Sequence, residues 1–362
     1  ADQMTITSLD GETLEPQIQV LDWKVSGLGK EGYPFYMEKE IMEQPSVFEE
    51  TIKHRIVNDL PNFHADGLND KVLTECKRIC IVACGTAMHV GLITQALVKS
   101  ILHMHIDVEL ASEFMYSDPV IDKNTLVIAV SQSGETVDTL EAFKYAKSRG
   151  ATCLSVLNVR GSAISRVSDY VLYTEAGPEI AVASTKAYTT QLAVMYLLVA
   201  RMAYLRGAFS EAETKSYIEE LKQVPMKMKE ILERRNEVHV IAKDILGSKD
   251  LFMIGRGMDY SILLEGSLKL KEVSYIHSEA YAAGELKHGP IALITEDTPV
   301  VALVTQEKIM SKELSNIKEV RARGAKVVLF IKEALSIQLK EGYHVVTLPD
   351  LADHFMVFPS IV

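Results

Sequence analysis

The chain repeats itself. Residues 79–85 (ICIVACG) parallel 251–257 (LFMIGRG), and each run leads into a helical stretch. Residues 125–130 (TLVIAV) parallel 298–303 (TPVVAL), and 148–151 (SRGA) parallel 322–325 (ARGA). The offset stays at about 170 to 174 residues, so the second half reads as a copy of the first. Within the first copy, apolar runs predict strands at 78–83, 106–110, 126–130, 153–157 and 170–173, with helices between them. The last helix is predicted from about Ser184 to about Arg206. Alternating strands and helices imply α/β domains, each a parallel sheet with helices on both faces.

A length of 362 residues accommodates two such domains. Four segments are expected. Residues 1–40 hold strand-like runs without partners (6–11 and 18–23) and a glycine-rich linker (27–34), and resemble the tail of an upstream domain. Residues 41–207 form the first domain, 208–249 a polar helical connector, and 250–362 the second domain. A helical stretch over 38–60 is predicted to break at Pro45.

Composition narrows the function. Hydrophobic residues make up 48% of the chain, enough for a large core, and the formal net charge is -11. No Lys/Arg run offers a basic face, which excludes duplex nucleic acid as a partner. A phosphorylated metabolite remains compatible, because local dipoles decide at short range. Cys76, Cys80, Cys84 and Cys153 are read as buried, reduced thiols; the first three have C-x3-C-x3-C spacing, unlike a zinc knuckle. No metal is expected. The most apolar segment, 192–205, contains Arg201 and is read as a core helix, so no membrane is involved. No signal peptide is read, and a reduced, cytoplasmic setting is expected.

Three stretches can carry chemistry. In 125–150 an apolar run turns through Ser131-Gln132-Ser133-Gly134-Glu135-Thr136 into an amphipathic helix. A helix N-terminus has unpaired N–H groups and favours an anion, so this loop is either a phosphate cradle or an ordinary cap. The second copy carries Thr305-Gln306-Glu307-Lys308-Ile309-Met310 at that place, without the glycine. The second stretch, EIAVASTK at 179–186, is another loop-to-helix junction, with Ser184 expected as its N-cap. In the third, 263–289, Glu265, Lys269 and Glu272 share a helix face. That stripe is either a solvated face or a site set among small apolar neighbours. Glu285, Lys287 and His288 follow on a glycine-flanked loop, where function concentrates.

Taken together, CGT at 84–86, SQSGET at 131–136, VASTKAYTTQ at 182–191 and EGSLKLKEVSYIHSEAYAAGELKHGP at 265–290 resemble the glutamine–fructose-6-phosphate aminotransferase (glucosamine-6-phosphate synthase) family. The resemblance runs from about residue 32 onward. It implies two flavodoxin-like sugar isomerase (SIS) domains forming an isomerase portion behind a glutaminase domain. It further implies a sugar-phosphate site in which Thr86, Ser131, Gln132, Ser133 and Thr136 hold the phosphate and nearby hydroxyls, with Ala87 and Gly134 beside them. Val182, Ala183 and Ser184 would meet the sugar. Glu272 would move a proton between C1 and C2 after amination at C2, tuned by Lys269 and Glu265. His288 would assist ring opening from a neighbouring subunit, which implies a homodimer. Ammonia would come from the upstream glutaminase domain, and no cofactor is implied. The roles suit the chemistry, since isomerisation needs a carboxylate that takes and returns one proton. An imidazole suits ring opening at neutral pH.

The sequence departs from the family in three places. The glutaminase domain is not in this chain, and neither is the family's tail with its Schiff-base lysine. Ala87 stands where the family often has Ser after CGT. A stand-alone phosphosugar isomerase and a non-catalytic sugar-phosphate sensor are the alternatives; a sensor would need neither Glu272 nor His288.

Overall fold

The computed structural model describes residues 4–15, 29–336 and 343–362. The run at 18–23 and the first residues of the 27–34 linker lie outside them. Five strands form the first sheet: β1 (Arg78–Ala83), β2 (Ile106–Leu110), β3 (Thr125–Ser131), β4 (Thr152–Leu157) and β5 (Tyr170–Tyr173). Five more form the second: β6 (Asp250–Gly255), β7 (His277–Ala282), β8 (Pro299–Val304), β9 (Lys326–Lys332) and β10 (His344–Leu348). All pairings in both sheets are parallel. The orders are β2-β1-β3-β4-β5 and β7-β6-β8-β9-β10, one topology used twice. In both, the chain leaves its first strand to one side and returns on the other. The switch point, where ligands bind such sheets, therefore lies between β1 and β3 and between β6 and β8.

The helices that matter are α1 (Tyr36–Lys53), α2 (Thr86–Leu97), α3 (Val137–Ser148), α4 (Lys186–Leu205), α5 (Glu211–Glu233), α6 (Arg235–Ile245), α7 (Met258–Ser274), α8 (Met310–Ala322) and α9 (Val357–Ile361). Every residue of α4 from Lys186 to Ala203 is buried, as expected of a core helix. Among the described residues no helix is long and apolar enough to cross a membrane.

Helix α1 corrects two expectations. It runs unbroken through Pro45. Proline cannot donate to the Ile41 carbonyl, but the Gln44 side chain does so at 3.3 Å, so the lost bond is replaced locally. It also ends at Lys53, not near Leu60. A small hairpin follows, Ile56–Val57 against Leu60–Pro61, turning on Asn58 and Asp59 at φ 53° and 60°.

Helix α5 is more than a polar spacer. Its buried face (Tyr217, Ile218, Leu221, Val224, Met228) joins α1, α4 and α9. The main core is shared by both halves: Phe48 of α1 and Tyr196 of α4 meet Phe358 of α9, each with ring centroids 4.9 Å apart.

Candidate active site

The ends of β1 and β3 open onto a cavity of about 170 Å³. Cys84 follows β1, and Thr86 and Ala87 begin α2; from β3 and its loop come Ser131, Gln132, Ser133 and Thr136; Ser184 and Gln191 close it from the α4 side. This is the switch-point crevice of the first sheet. A wider groove of about 620 Å³ runs along the outer strand β5, beside Arg55 and Asp66, away from these loops.

The loop 131–136 is tightly built. Ser131 Oγ accepts from Gly134 N–H at 3.0 Å, and Ser133 Oγ accepts from Glu135 N–H at 3.2 Å. Gly134 has φ +66°, and a Cβ there would lie 2.1 Å from Ser162 Oγ, so only glycine fits. Ser162 Oγ is buried without a hydrogen-bond partner. Thr136 is the N-cap residue of α3, yet its hydroxyl caps nothing. It lies 3.4 Å from Ser131 Oγ instead. With no side chain capping α3, the dipole end of that helix stays available to an anion.

The 176–186 loop brings Ser184 to the cavity, but not as a cap. Thr185 holds the N-cap position of α4, with no side-chain bond. The capping is done by Glu179, whose Oε1 accepts from Thr185 N–H at 2.9 Å and Ala187 N–H at 3.0 Å. Ser184 instead donates its own hydroxyl to Glu179 Oε2 at 2.9 Å, so the carboxylate serves both the helix end and the serine. Ala183 is buried and Val182 wholly exposed.

The Glu265–Lys269–Glu272 stripe of α7 is solvated only at one end, where Glu272 is exposed and does not line the cavity. Glu265 is 1% exposed. It accepts from Thr86 Oγ1 at 2.9 Å, and its Oε2 lies 2.6 Å from His89 Nδ1. Lys269 Nζ then bridges Glu265 at 3.5 Å and Glu272 at 2.5 Å. Thr86 lines the cavity, so the stripe is tied to it through one hydroxyl. His288 lies apart, at the exposed end of a short turn (Glu285–His288) whose Lys287 pairs with Glu319 at 2.8 Å. It does not line the cavity within this chain.

The matching crevice of the second sheet is filled. Asp259, fully buried near the start of α7, accepts from Thr305 N–H at 2.7 Å and from the Thr305 hydroxyl. Burial pushes its carboxyl up to about 7. A protein carboxylate thus occupies the place that the first half leaves open. The two entrance turns still match: Gly85 and Gly257 have φ/ψ of 55°/−131° and 58°/−124°. No group of His, Cys, Asp and Glu among the described residues is arranged to hold a metal. Of the cysteines, all free, Cys76, Cys80 and Cys153 are buried. Burial pushes the Cys80 and Cys153 thiols up to about 12. Cys84 departs from the expectation, being half-buried at the cavity wall beside Thr139.

Sequence reasoning missed His89, Glu179 and Gln191. Glu179 and Gln191 lie inside the motif-bearing segments 179–186 and 182–191, whereas no local pattern marks His89.

Two parallel sheets of one topology, with a hydroxyl-lined crevice open at one switch point, define a pair of sugar isomerase domains. The SIS domain family matches residues 72–201 and 244–361, and the chain belongs to that family. Its relatives narrow the class to the aminotransferase branch. Glutamine–fructose-6-phosphate aminotransferase (isomerizing) of Caldanaerobacter subterraneus subsp. tengcongensis is 45% identical over 96% of this chain and 58% of its own length. The protein of that name from Clostridium tetani is 47% identical over 90% and 54%. The chain therefore spans rather more than half the length of these relatives. The C-terminal domain of glucosamine-fructose-6-phosphate aminotransferase from Francisella tularensis superposes with a TM-score of 0.88 at 37% identity, covering 91% of this chain and 94% of that one.

Proposed function

We propose that this chain is the isomerase portion of an enzyme that makes glucosamine 6-phosphate from fructose 6-phosphate and glutamine. The observation that carries the reading is the open crevice after β3, with its hydroxyls and uncapped α3, set against the filled crevice after β8. The phosphate lies at Ser131, Ser133 and Thr136, where hydroxyls and the helix dipole meet a dianion. The sugar extends toward Thr86 and Ser184. Glu272 takes the proton from one of C1 and C2 and returns it to the other, after ammonia has added at C2. Lys269 Nζ lies 2.5 Å from Glu272 Oε2 and holds that carboxylate in place on its helix face. Glu265 holds the other side of Lys269 and so keeps it from the substrate.

His288 assists ring opening from a second copy of the chain, a reading supported by its exposure and by its not lining the cavity of its own chain. Residues 41–207 and 250–362 act as the binding and catalytic domains. Ammonia comes from a glutaminase domain on the same polypeptide, in the cytoplasm.

The test uses the full-length enzyme. Glu272→Gln should bind fructose 6-phosphate nearly as well as the parent and lose isomerisation by about three orders of magnitude. Unchanged turnover would remove Glu272 from the base role. Failure of the parent to form glucosamine 6-phosphate from glutamine would refute the whole reading.

A further inference from the structure

Glu179 does more to its neighbour than support it. While Oε1 takes the two N–H groups of α4, Oε2 lies 2.9 Å from Ser184 Oγ. A carboxylate has no proton to give, so this hydrogen bond has one polarity: Ser184 donates and Glu179 accepts. A serine hydroxyl owns a single proton. With that proton directed at Glu179, Ser184 presents only lone pairs to the cavity it lines.

The loop that does this is held from beneath as well. Glu40 of α1, 2% exposed, accepts from Ile180 N–H at 2.6 Å and Ala181 N–H at 3.1 Å. Buried Glu40 and half-buried Glu179 thus both hold N–H groups of this one short loop, which limits the freedom of Ser184 to turn its proton elsewhere.

We propose that Glu179 is a positioning and specificity-determining residue of the sugar-phosphate site, because it makes Ser184 an obligate hydrogen-bond acceptor. This rests on the sugar-phosphate reading above. The crevice then has two chemically distinct ends. The Ser131–Thr136 end offers donors and takes an anion. The Ser184 end repels an anion and takes a neutral hydroxyl that can donate. A phosphorylated polyol or open-chain sugar therefore enters in one orientation, and a ligand with phosphate at both ends is rejected.

The test compares fructose 6-phosphate with inorganic phosphate by calorimetric titration of the full-length protein. In Glu179→Gln the amide oxygen still caps α4, but the amide N–H faces Ser184 and donates to it, turning the serine proton into the cavity. Fructose 6-phosphate should bind about tenfold more weakly and inorganic phosphate within about twofold of the parent. Ser184→Ala should show the same selective loss, and the double variant should be no worse than Ser184→Ala alone. A parallel loss for both ligands would mean that Glu179 is only a helix cap, and additive losses would separate the two residues; either result overturns the proposal. If Glu179→Gln does not fold, mono-deoxy and mono-fluoro analogues of fructose 6-phosphate decide on the unaltered protein. Fluorine accepts but cannot donate, so at the hydroxyl facing Ser184 it should bind no better than hydrogen, and recovery of affinity by fluorine at every position would sink the idea. A parent protein that binds no sugar phosphate would instead overturn the functional reading itself.

Discussion

Glu265 and His89 stand 2.6 Å apart across the two halves of the molecule, one on α7 and the other on α2. Thr86 reaches the same carboxylate, so the helix bearing Glu272 is pinned to the first turn of the helix that lines the crevice. Removing His89 takes away one of three partners of a buried carboxylate, since Thr86 and Lys269 remain on Glu265. His89→Ala should lower stability by about 1–2 kcal/mol, measured by denaturant unfolding. In a double-mutant cycle with Glu265→Gln the two losses should be markedly less than additive. Strict additivity would mean that the pair contributes nothing of its own.

Gly134→Ala should damage the loop without touching a ligand. The new Cβ meets both Oγ and Cβ of Ser162, and the backbone stays in the left-handed region. We expect about 3 kcal/mol of destabilisation, together with loss of phosphate affinity. Adding Ser162→Gly should restore part of the stability by clearing the space. Wild-type melting behaviour of Gly134→Ala would show that the loop relaxes freely.

Glu313 on α8 is wholly buried, and neither carboxylate oxygen has a hydrogen-bond partner. Burial first, then the charge of Asp259, push it up to about 10; Arg256 works the other way. The folded protein therefore keeps a proton that the unfolded chain releases above about pH 4.5. The resulting penalty is absent below that value and grows as pH rises toward 10, by up to about 1.4 kcal/mol per pH unit. Glu313→Gln removes it. Scanning calorimetry from about pH 5 to pH 9 should show the parent losing Tm steadily relative to the variant. Parallel curves would contradict the assignment.

Phe358→Ala should cost about 4 kcal/mol, because the ring is fully buried between Phe48 and Tyr196. The effect should appear in both halves. Hydrogen exchange would report faster opening in α1 and α4 as well as in α9; acceleration confined to α9 would show that the halves are not locked together.

Much of this architecture is written locally. The central strands β1, β3 and β4 are buried on both faces and largely apolar, so they fall on or within one residue of the predicted runs. The edge strands β2 and β5 are only partly buried, yet fall at the predicted residues. The edge strand β7 (HSEAYA) has no such run and was read as part of a helix-and-loop stretch. The proline in α1 misled because the rescue by Gln44 depends on a side-chain rotamer, which spacing does not reveal. The loop at 131–136 stands out as a candidate site from its hydroxyls, glycine and helix start, all within six residues. His89 does not, because its partner lies 176 residues away. Glu179 lies in a segment with several polar side chains, and the local pattern does not say which of them reaches the helix N–H groups.

The interlocked core also bears on the order of events during synthesis. Helices α1, α4 and α5 are complete once Glu233 has been made, but the aromatic lid that Phe355 and Phe358 place over Phe48, Tyr196 and Tyr217 belongs to residues translated much later. Some 125 residues separate Glu233 from Phe358. At ribosomal rates of about 5–20 residues per second that is a wait of about 6–25 s. For that interval the nascent chain carries an uncovered apolar trough, and the first half stays open to chaperones and proteases until the second has been delivered to close it.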